Sequence, residues 1–168
     1  MDDININFDV SDDTFEIHQD KLYLVAVETF NYLEIQGSGV SIYFSDDSHV
    51  QNLNYQYRGL NQVTDVLSFS NDFEGQYYGD KLDLREGLTE EEFVLPENFQ
   101  NYLGDIVISF PQACRQSVEN NVDLVDELMK LVAHGILHLL GFDHENDSEE
   151  LEMNYITDSI ISLVKNNA

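Results

Sequence analysis

The feature that most limits how this chain can fold is a long apolar run in its last third. Residues 122–141, VDLVDELMKLVAHGILHLLG, are long and apolar enough to indicate a buried helix. Gly141 closes the run, and glycine is the usual residue where a helix ends in a left-handed conformation. The run therefore predicts the central helix of the fold.

Three of the five histidines fall in or just after this run, in the segment HGILHLLGFDH. His134 and His138 stand four residues apart, which on an α-helix places both imidazoles on one face, one turn apart. Gly141 lets the chain turn back, so that His144 arrives as a third ligand. Three imidazoles with an open fourth position are typical of a catalytic zinc site, although another divalent ion that accepts imidazole nitrogen also fits.

The alternative is that these histidines are ordinary core residues. A single histidine on an apolar helix is more often structural, and we interpret His18 and His49 in that way because neither has a metal-binding context. The third histidine after a helix-ending glycine favours metal binding for the cluster. We predict one divalent metal ion, with zinc favoured.

The remaining pattern indicates an α+β fold with a small mixed sheet of about four strands. Helices are predicted after the first, second and fourth strands, with Pro111 in a first turn and a Ser cap at the start of the last helix, SEELEMNYITDSIISLVKN. Residues 71–101 indicate a long exposed loop or partial hairpin. The predicted strands lie in the segments ININFDV, VSIYF, DVLSFS and DIVISF.

Length and cysteine content favour one soluble domain. The 168 residues, 42% of them hydrophobic, can bury one sizeable core and are short for two, so we predict a single domain over residues 1–168. Cys114 is the only cysteine, which excludes an intramolecular disulfide. The acidic start lacks the features of a secretory signal. A cytoplasmic location is the simplest expectation.

The net charge is unusual, because 33 Asp and Glu residues face 7 Lys and Arg residues and give a formal charge of -26. A surface of this sign repels other polyanions, which argues against broad binding to nucleic acid or to an anionic membrane. The alternative is that the excess acid only maintains solubility. Net charge says little about one cleft.

The histidine spacing is also that of the metzincin proteases, which carry a glutamate general base directly after the first histidine. Gly135 occupies that position here, and glycine has no side chain with which to activate water. Peptidase activity is therefore not expected.

At these residues the sequence resembles the YbeY family of metal-dependent endoribonucleases, also called ribosomal RNA maturation factors. HGILHLLGFDH is close to the family's histidine motif. The stretches YRGLNQVTDVLSF and LGDIVIS, at residues 57–69 and 103–109, are also similar to family motifs and follow in the same order. The resemblance covers most of residues 39–164.

This resemblance implies an α+β cytoplasmic hydrolase that cleaves single-stranded RNA and acts in maturation of the small-subunit ribosomal RNA and in ribosome quality control. His134, His138 and His144 take the family's metal positions, and Arg58 matches the arginine of its tyrosine-arginine-glycine motif. The implied partner is ribosomal RNA. The net charge of -26 separately suggests delivery to RNA by ribosomal or assembly proteins with basic surfaces. No DNA or membrane partner is expected.

Arg58 and Asp143 are the candidate catalytic residues. The planar, permanently charged guanidinium of Arg58 could bind a phosphate and stabilise developing negative charge; alternatively, Arg58 is a surface residue paired with a carboxylate. Asp143 could orient a ligand or move a proton, or simply cap the turn.

A second group of polar residues lies in the family-like stretch. Thr64, Asp65 and Ser68 could line the cleft, although Asp65 and Ser68 could equally cap or hydrogen-bond around a strand.

Two other function classes remain open. One is a different metal-dependent hydrolase. The other is a non-catalytic ribosome assembly factor whose metal serves only stability, which a closed four-ligand site would indicate. Two departures from the family pattern are the long acidic loop at residues 71–101 and the segment NNVDLVDELMKL, which lacks a histidine and an arginine common there.

Overall fold

The computed structural model describes residues 2–9, 15–71, 101–143 and 145–167. Within these ranges the chain forms four strands and five helices. The strands are β1 (Asp3–Phe8), β2 (Gly39–Ser45), β3 (Val66–Ser70) and β4 (Tyr102–Ser109). The helices are α1 (Phe15–Tyr32), α2 (Asp47–Arg58), α3 (Phe110–Asn120), α4 (Leu124–Leu139) and α5 (Asp147–Asn167).

The four strands form one mixed sheet in the order β1-β2-β4-β3. β1 pairs with β2 and β2 with β4 in parallel, whereas β3 runs antiparallel to β4 at one edge. Helix α1 links β1 to β2, and the longer connection from β2 to β4 includes α2, in keeping with the long crossovers that parallel pairs need. The predicted α+β class and mixed four-stranded sheet are confirmed.

The two faces of the sheet carry different cores. Ile106 and Ile108 of β4 belong to the large core, which α1, α4 and α5 complete on one face. Val107, between them, points to the other face and joins a small cluster with Val50 of α2 and Leu67 of β3. Alternation along β4 therefore places α2 and α4 on opposite faces of the sheet.

Helix α4 is the central element, as its apolar run predicts. It packs against three other helices and against β3 and β4, and most of its residues are buried. A helix covered on nearly all sides needs apolar residues around its whole circumference. The few polar residues that it carries therefore require a separate explanation, and the two histidines are among them.

Local signals fix the ends of the helices. The side chain of Asp46 accepts a hydrogen bond of 2.8 Å from the His49 backbone and caps α2, and Gly59 ends that helix with a φ of 70°. The cap predicted at Ser148 is wrong. Asn146 caps α5, because its side chain reaches the backbone N–H of Glu149 at 2.9 Å from just before the first turn.

Two expectations concern regions beyond these elements. The loop predicted at residues 71–101 falls almost wholly in residues 72–100, which lie outside the described residues. Among the helices of the described ranges, none is both long and apolar enough to cross a membrane.

Candidate metal centre

Two of the three predicted ligands are neighbours in the last turns of α4. The ring centroids of His134 and His138 lie 6.3 Å apart, with the ring planes at 79°. Both side chains are partly buried, and the Nε2 atom of His134 is inaccessible to solvent. The helical spacing of four residues therefore does bring the two imidazoles together on one face, as predicted.

The chain reverses directly after these turns through a Schellman motif centred on Gly141. The Gly141 backbone N–H bonds to the carbonyl of His138, and the Phe142 N–H bonds to the carbonyl of Leu137, both at 3.0 Å. Gly141 has a φ of 93°, in the left-handed region that favours glycine. This reversal brings the Phe142 carbonyl back to the His138 ring.

The reversal also fixes the protonation pattern of one imidazole. His138 Nδ1 lies 2.9 Å from the Phe142 carbonyl oxygen. Because a carbonyl oxygen can only accept, Nδ1 must carry the hydrogen and donate it. In the neutral ring Nε2 then keeps its lone pair, which is the form that a metal binds, and a backbone partner on the other nitrogen is the usual support of a metal-binding histidine.

The rest of the predicted ligand set is only partly visible. His144 lies outside the described residues, and within the described part of the chain no group of three His, Cys, Asp or Glu side chains is placed to hold a metal. Asp143 is partly buried and immediately follows Phe142 in the returning segment. The roles of His144 and Asp143 thus stay predictions.

Gly135 has a packing role that the sequence did not reveal. A Cβ atom at this position would lie 2.7 Å from Cγ2 and 2.9 Å from Cδ1 of Ile106, distances at which something must move. The glycine lets α4 lie directly on β4. The residue after the first histidine therefore faces the core, where a metzincin-type glutamate has no room.

Arg58 ends α2, on the other face of the sheet. Its Nε atom is buried and has no hydrogen-bond partner among the described residues, and neither ion pair found there includes it. Those ion pairs use Arg115 and Lys165. The alternative of an arginine paired with a surface carboxylate therefore has no support in the described residues, which also show no direct bond from Arg58 to His134 or His138.

Edge strand β3 connects the end of α2 with the histidine helix. The Tyr57 ring, next to Arg58, packs edge-on against Phe69 with centroids 5.0 Å apart. On the other side of the strand, the Ser68 hydroxyl donates a hydrogen bond of 3.1 Å to the carbonyl of Gly135. β3 thus lies between the elements that carry the arginine and the histidines.

The other polar residues of the family-like stretch make structural contacts. Asp65 Oδ1 accepts from the backbone of Val66 at 2.8 Å and from Thr64 at 3.4 Å. Its Oδ2 accepts from the Gln116 side chain at 3.3 Å. These bonds cap the start of β3 and tie it to α3, which is the structural alternative for Asp65.

Glu127, which the sequence did not reveal as a site residue, is a buried carboxyl group on the histidine face of α4, two turns before His134. Burial raises its pKa; Lys130 and a hydrogen bond from Asn120 oppose the rise, whereas Asp65 adds to it. The i, i+7 spacing puts Glu127 on the same face of the helix as His134, and this spacing was visible in the sequence. An acid inside an apolar run is nevertheless expected to face solvent until the packing of α4 is known.

Comparison with known proteins identifies a family model and several relatives that match this chain. The family model described as Endoribonuclease YbeY matches residues 6–165. An Endoribonuclease YbeY from Treponema denticola is 37% identical over 139 residues, which cover 83% of this chain and 79% of that protein. One from Desulforamulus reducens is 35% identical over 152 residues, covering 87% and 89%.

A solved structure is similar over nearly the whole chain. The solution structure of TM1509 from Thermotoga maritima superposes with a TM-score of 0.57 at 25% sequence identity, and covers 98% of this chain and 90% of that one. The arrangement of sheet and helices described above is therefore one that also occurs in a solved structure.

Proposed function

The chain belongs to the YbeY family of endoribonucleases, and from this membership we propose that it hydrolyses single-stranded RNA at a divalent metal centre held by His134, His138 and His144. Ribosomal RNA maturation is the role that accompanies the family. The proposed substrate is small-subunit ribosomal RNA, cleaved in maturation and quality control in the cytoplasm.

The observation that best supports the metal centre is the hydrogen bond from His138 Nδ1 to the Phe142 carbonyl. It selects the tautomer whose Nε2 carries a lone pair rather than a hydrogen, and it holds the ring at a fixed angle to α4. A structural histidine could make the same bond, but here a second imidazole, that of His134, lies on the same face with 6.3 Å between ring centroids. The residues present therefore fit a metal whose ligands are neutral imidazoles.

Zinc is the ion that such a ligand set favours, because zinc readily accepts three imidazoles and leaves a position open for water or substrate. When bound, the ion supplies Lewis acidity, which acidifies water and polarises phosphoryl oxygens. The protein's own part is to orient the imidazoles, as the bond from His138 Nδ1 to the Phe142 carbonyl does for one of them.

Arg58 is the proposed phosphate-binding residue. Its guanidinium is permanently charged and presents several N–H donors in one plane, which suits a phosphate with negative charge on two oxygens. A buried Nε that finds no partner among the described residues is expensive unless a ligand satisfies it. Asp143, beside His144, is proposed to orient that histidine or to move a proton.

The strongly acidic exterior supports the proposal that a partner protein delivers the substrate. A net charge of -26 opposes tight binding of naked RNA over a broad surface. Ribosomal or assembly proteins with basic surfaces complement that charge, and they would bring RNA to a cleft made locally positive by the metal and Arg58.

Purified protein assayed on single-stranded RNA, a peptide and a small phosphodiester tests the proposed activity. We expect cleavage of the RNA and none of the peptide. Activity confined to the peptide would contradict the proposal. Metal that is retained and stabilises the fold, with no cleavage of any substrate, would instead favour the non-catalytic assembly factor.

A further inference from the structure

Acidic residues are spread along the chain with two long interruptions. Asp and Glu make up 33 of the 168 residues, yet none occurs among the 17 residues 48–64. The next longest interval without an acid is 128–142, which contains His134 and His138. The interval 48–64 contains Arg58. The two longest intervals without an acid are thus the ones that carry the proposed phosphate-binding residue and two of the proposed ligands.

The first interval forms most of α2 and the turn that follows it. Its outward side chains are largely amides, such as Gln51, Asn52 and Gln56, which are neutral and can both donate and accept hydrogen bonds. The Gln51 amide contacts the Asn61 side chain at 3.0 Å and so joins the helix to the turn. This side of α2 is a neutral, hydrogen-bonding surface on an otherwise acidic protein.

Tyr55 is the exposed aromatic residue of this surface. Its relative exposure is 59%, whereas Tyr57, two residues on, packs its ring against Phe69. Tyr55 stands three residues before Arg58, so both lie on one side of the helix. An aromatic ring in solvent next to an arginine offers a base-stacking surface beside a phosphate-binding group.

We propose that Tyr55 stacks on a base of the substrate RNA, next to the nucleotide whose phosphate meets Arg58. This inference rests on the proposed function and extends it by naming a binding subsite outside the metal centre. Stacking tolerates any base, because each has a flat aromatic face. Tyr55 therefore contributes affinity for single-stranded RNA and little sequence preference.

The charge distribution favours RNA over a protein as the occupant of this surface. A basic partner protein is attracted to the acidic remainder of the chain. Its electrostatic attraction is weakest at a surface where acids are missing. Tyr155 on α5 differs from Tyr55 in its charged neighbours. It is 70% exposed, but it lies one turn from Glu152 and one turn from Asp158. Phosphates are repelled there, whereas nothing in residues 48–64 repels them.

Binding of a labelled single-stranded oligoadenylate, read by fluorescence anisotropy in the first seconds after mixing, tests the stacking role. The variants are Tyr55→Ala and Tyr55→Phe, with Tyr23→Ala as the matched control. Tyr23 is 46% exposed on α1, a helix on the opposite face of the sheet from α2. An abasic ribose-phosphate chain of the same length supplies the phosphates without the bases.

We expect Tyr55→Ala to weaken oligoadenylate binding roughly 5- to 150-fold, the range for loss of one base-aromatic stack. Tyr55→Phe and Tyr23→Ala retain the affinity of the natural protein, and the abasic chain binds all four proteins alike. In cleavage assays Tyr55→Ala raises KM and leaves kcat nearly unchanged, because the ring does not touch the reacting atoms.

Unchanged oligoadenylate binding by Tyr55→Ala would overturn the proposal. It would favour contact of the exposed ring with a protein instead. An equal loss on the abasic chain, or in Tyr23→Ala, would also overturn it. Failure of the proposed function looks different, because the natural protein would then bind RNA through Tyr55 and not cleave it.

Discussion

His138 donates a hydrogen bond of 2.9 Å from Nδ1 to the backbone carbonyl of Phe142, four residues further along the chain. Phe142 is in position because the Schellman motif at Gly141 folds the chain back over the last turn of α4. A backbone conformation thus sets the tautomer of a side chain, which links helix termination to the proposed metal chemistry. The same reversal leads directly to Asp143.

Gly141→Ala should therefore weaken metal binding as well as folding. Alanine at a φ of 93° is strained, with an expected cost of about 1–2 kcal/mol. Movement of the Phe142 carbonyl removes the partner of His138, so metal affinity should fall about 10-fold or more. Urea denaturation of metal-free protein and competition with a zinc chelator measure the two effects.

Gly37→Ala is the matched control for this prediction. Gly37 has a φ of 83°, and a Cβ atom at either glycine meets nothing within 4 Å, so the backbone strain is comparable. We expect a similar loss of stability with metal affinity unchanged. Equal metal affinity in the two variants would show that the reversal at Gly141 does not support the site.

Gly135→Ala should destabilise the protein, although alanine is ordinarily the better helix former by about 1 kcal/mol. The added methyl group meets Ile106 at 2.7 Å and 2.9 Å, and overpacking of this kind costs about 1–3 kcal/mol. In an Ile106→Ala background the same substitution should cost less or become stabilising. Urea denaturation of the natural protein, the two single variants and the double variant gives the coupling energy between the two positions. A coupling energy of zero would mean that α4 and β4 separate easily.

Arg58→Ala should lower kcat/KM for single-stranded RNA about 100-fold, as expected for loss of a group that stabilises developing charge. Arg58→Lys restores the charge without the planar set of donors and should recover only part of the rate. Metal content should be unchanged in both variants.

The matched control is Arg115→Ala, because Arg115 is exposed and already engaged by Asp47 at 2.8 Å. Removing it should leave RNA cleavage within about twofold, since exposed ion pairs contribute little. A loss of activity as large as that of Arg58→Ala would point to general charge rather than to a defined phosphate site.

Glu127→Gln should stabilise the protein at neutral pH. Because burial raises the pKa of Glu127, the folded chain holds this proton more tightly than the unfolded chain. Its contribution to stability then falls as the pH rises from the ordinary pKa of 4.5 through the raised value. The stabilisation by Glu127→Gln, measured by urea denaturation, should shrink toward pH 4.5. Glu119→Gln, on the exposed surface of α3, should change stability little at any pH.

Local chemistry made part of this structure predictable from the sequence. The left-handed glycine at position 141, the apolar central helix and the i, i+4 pair of His134 and His138 each depend on neighbours within one or two turns. The caps were less certain, because Asn146 and Ser148 are both good capping residues, and only the backbone decides between them.

Contacts between distant segments could not be predicted in the same way. The bond from Ser68 to Gly135 joins residues 67 positions apart, and the clash that keeps position 135 a glycine comes from Ile106 on a strand. Both depend on the strand order β1-β2-β4-β3, which no local pattern specifies. The position of Arg58 across the sheet from α4 follows from the same topology.

The most direct test of a catalytic metal centre is metal content by elemental analysis together with cleavage of single-stranded RNA, for the natural protein, His138→Ala and the control His18→Ala. His18 lies on α1, outside the proposed site. We predict about one divalent ion per chain in the natural protein and in His18→Ala, as a single three-histidine centre requires. His138→Ala should lose the ion and the cleavage together while keeping its circular dichroism spectrum. Loss of the metal with cleavage unchanged would contradict a catalytic metal centre at these histidines.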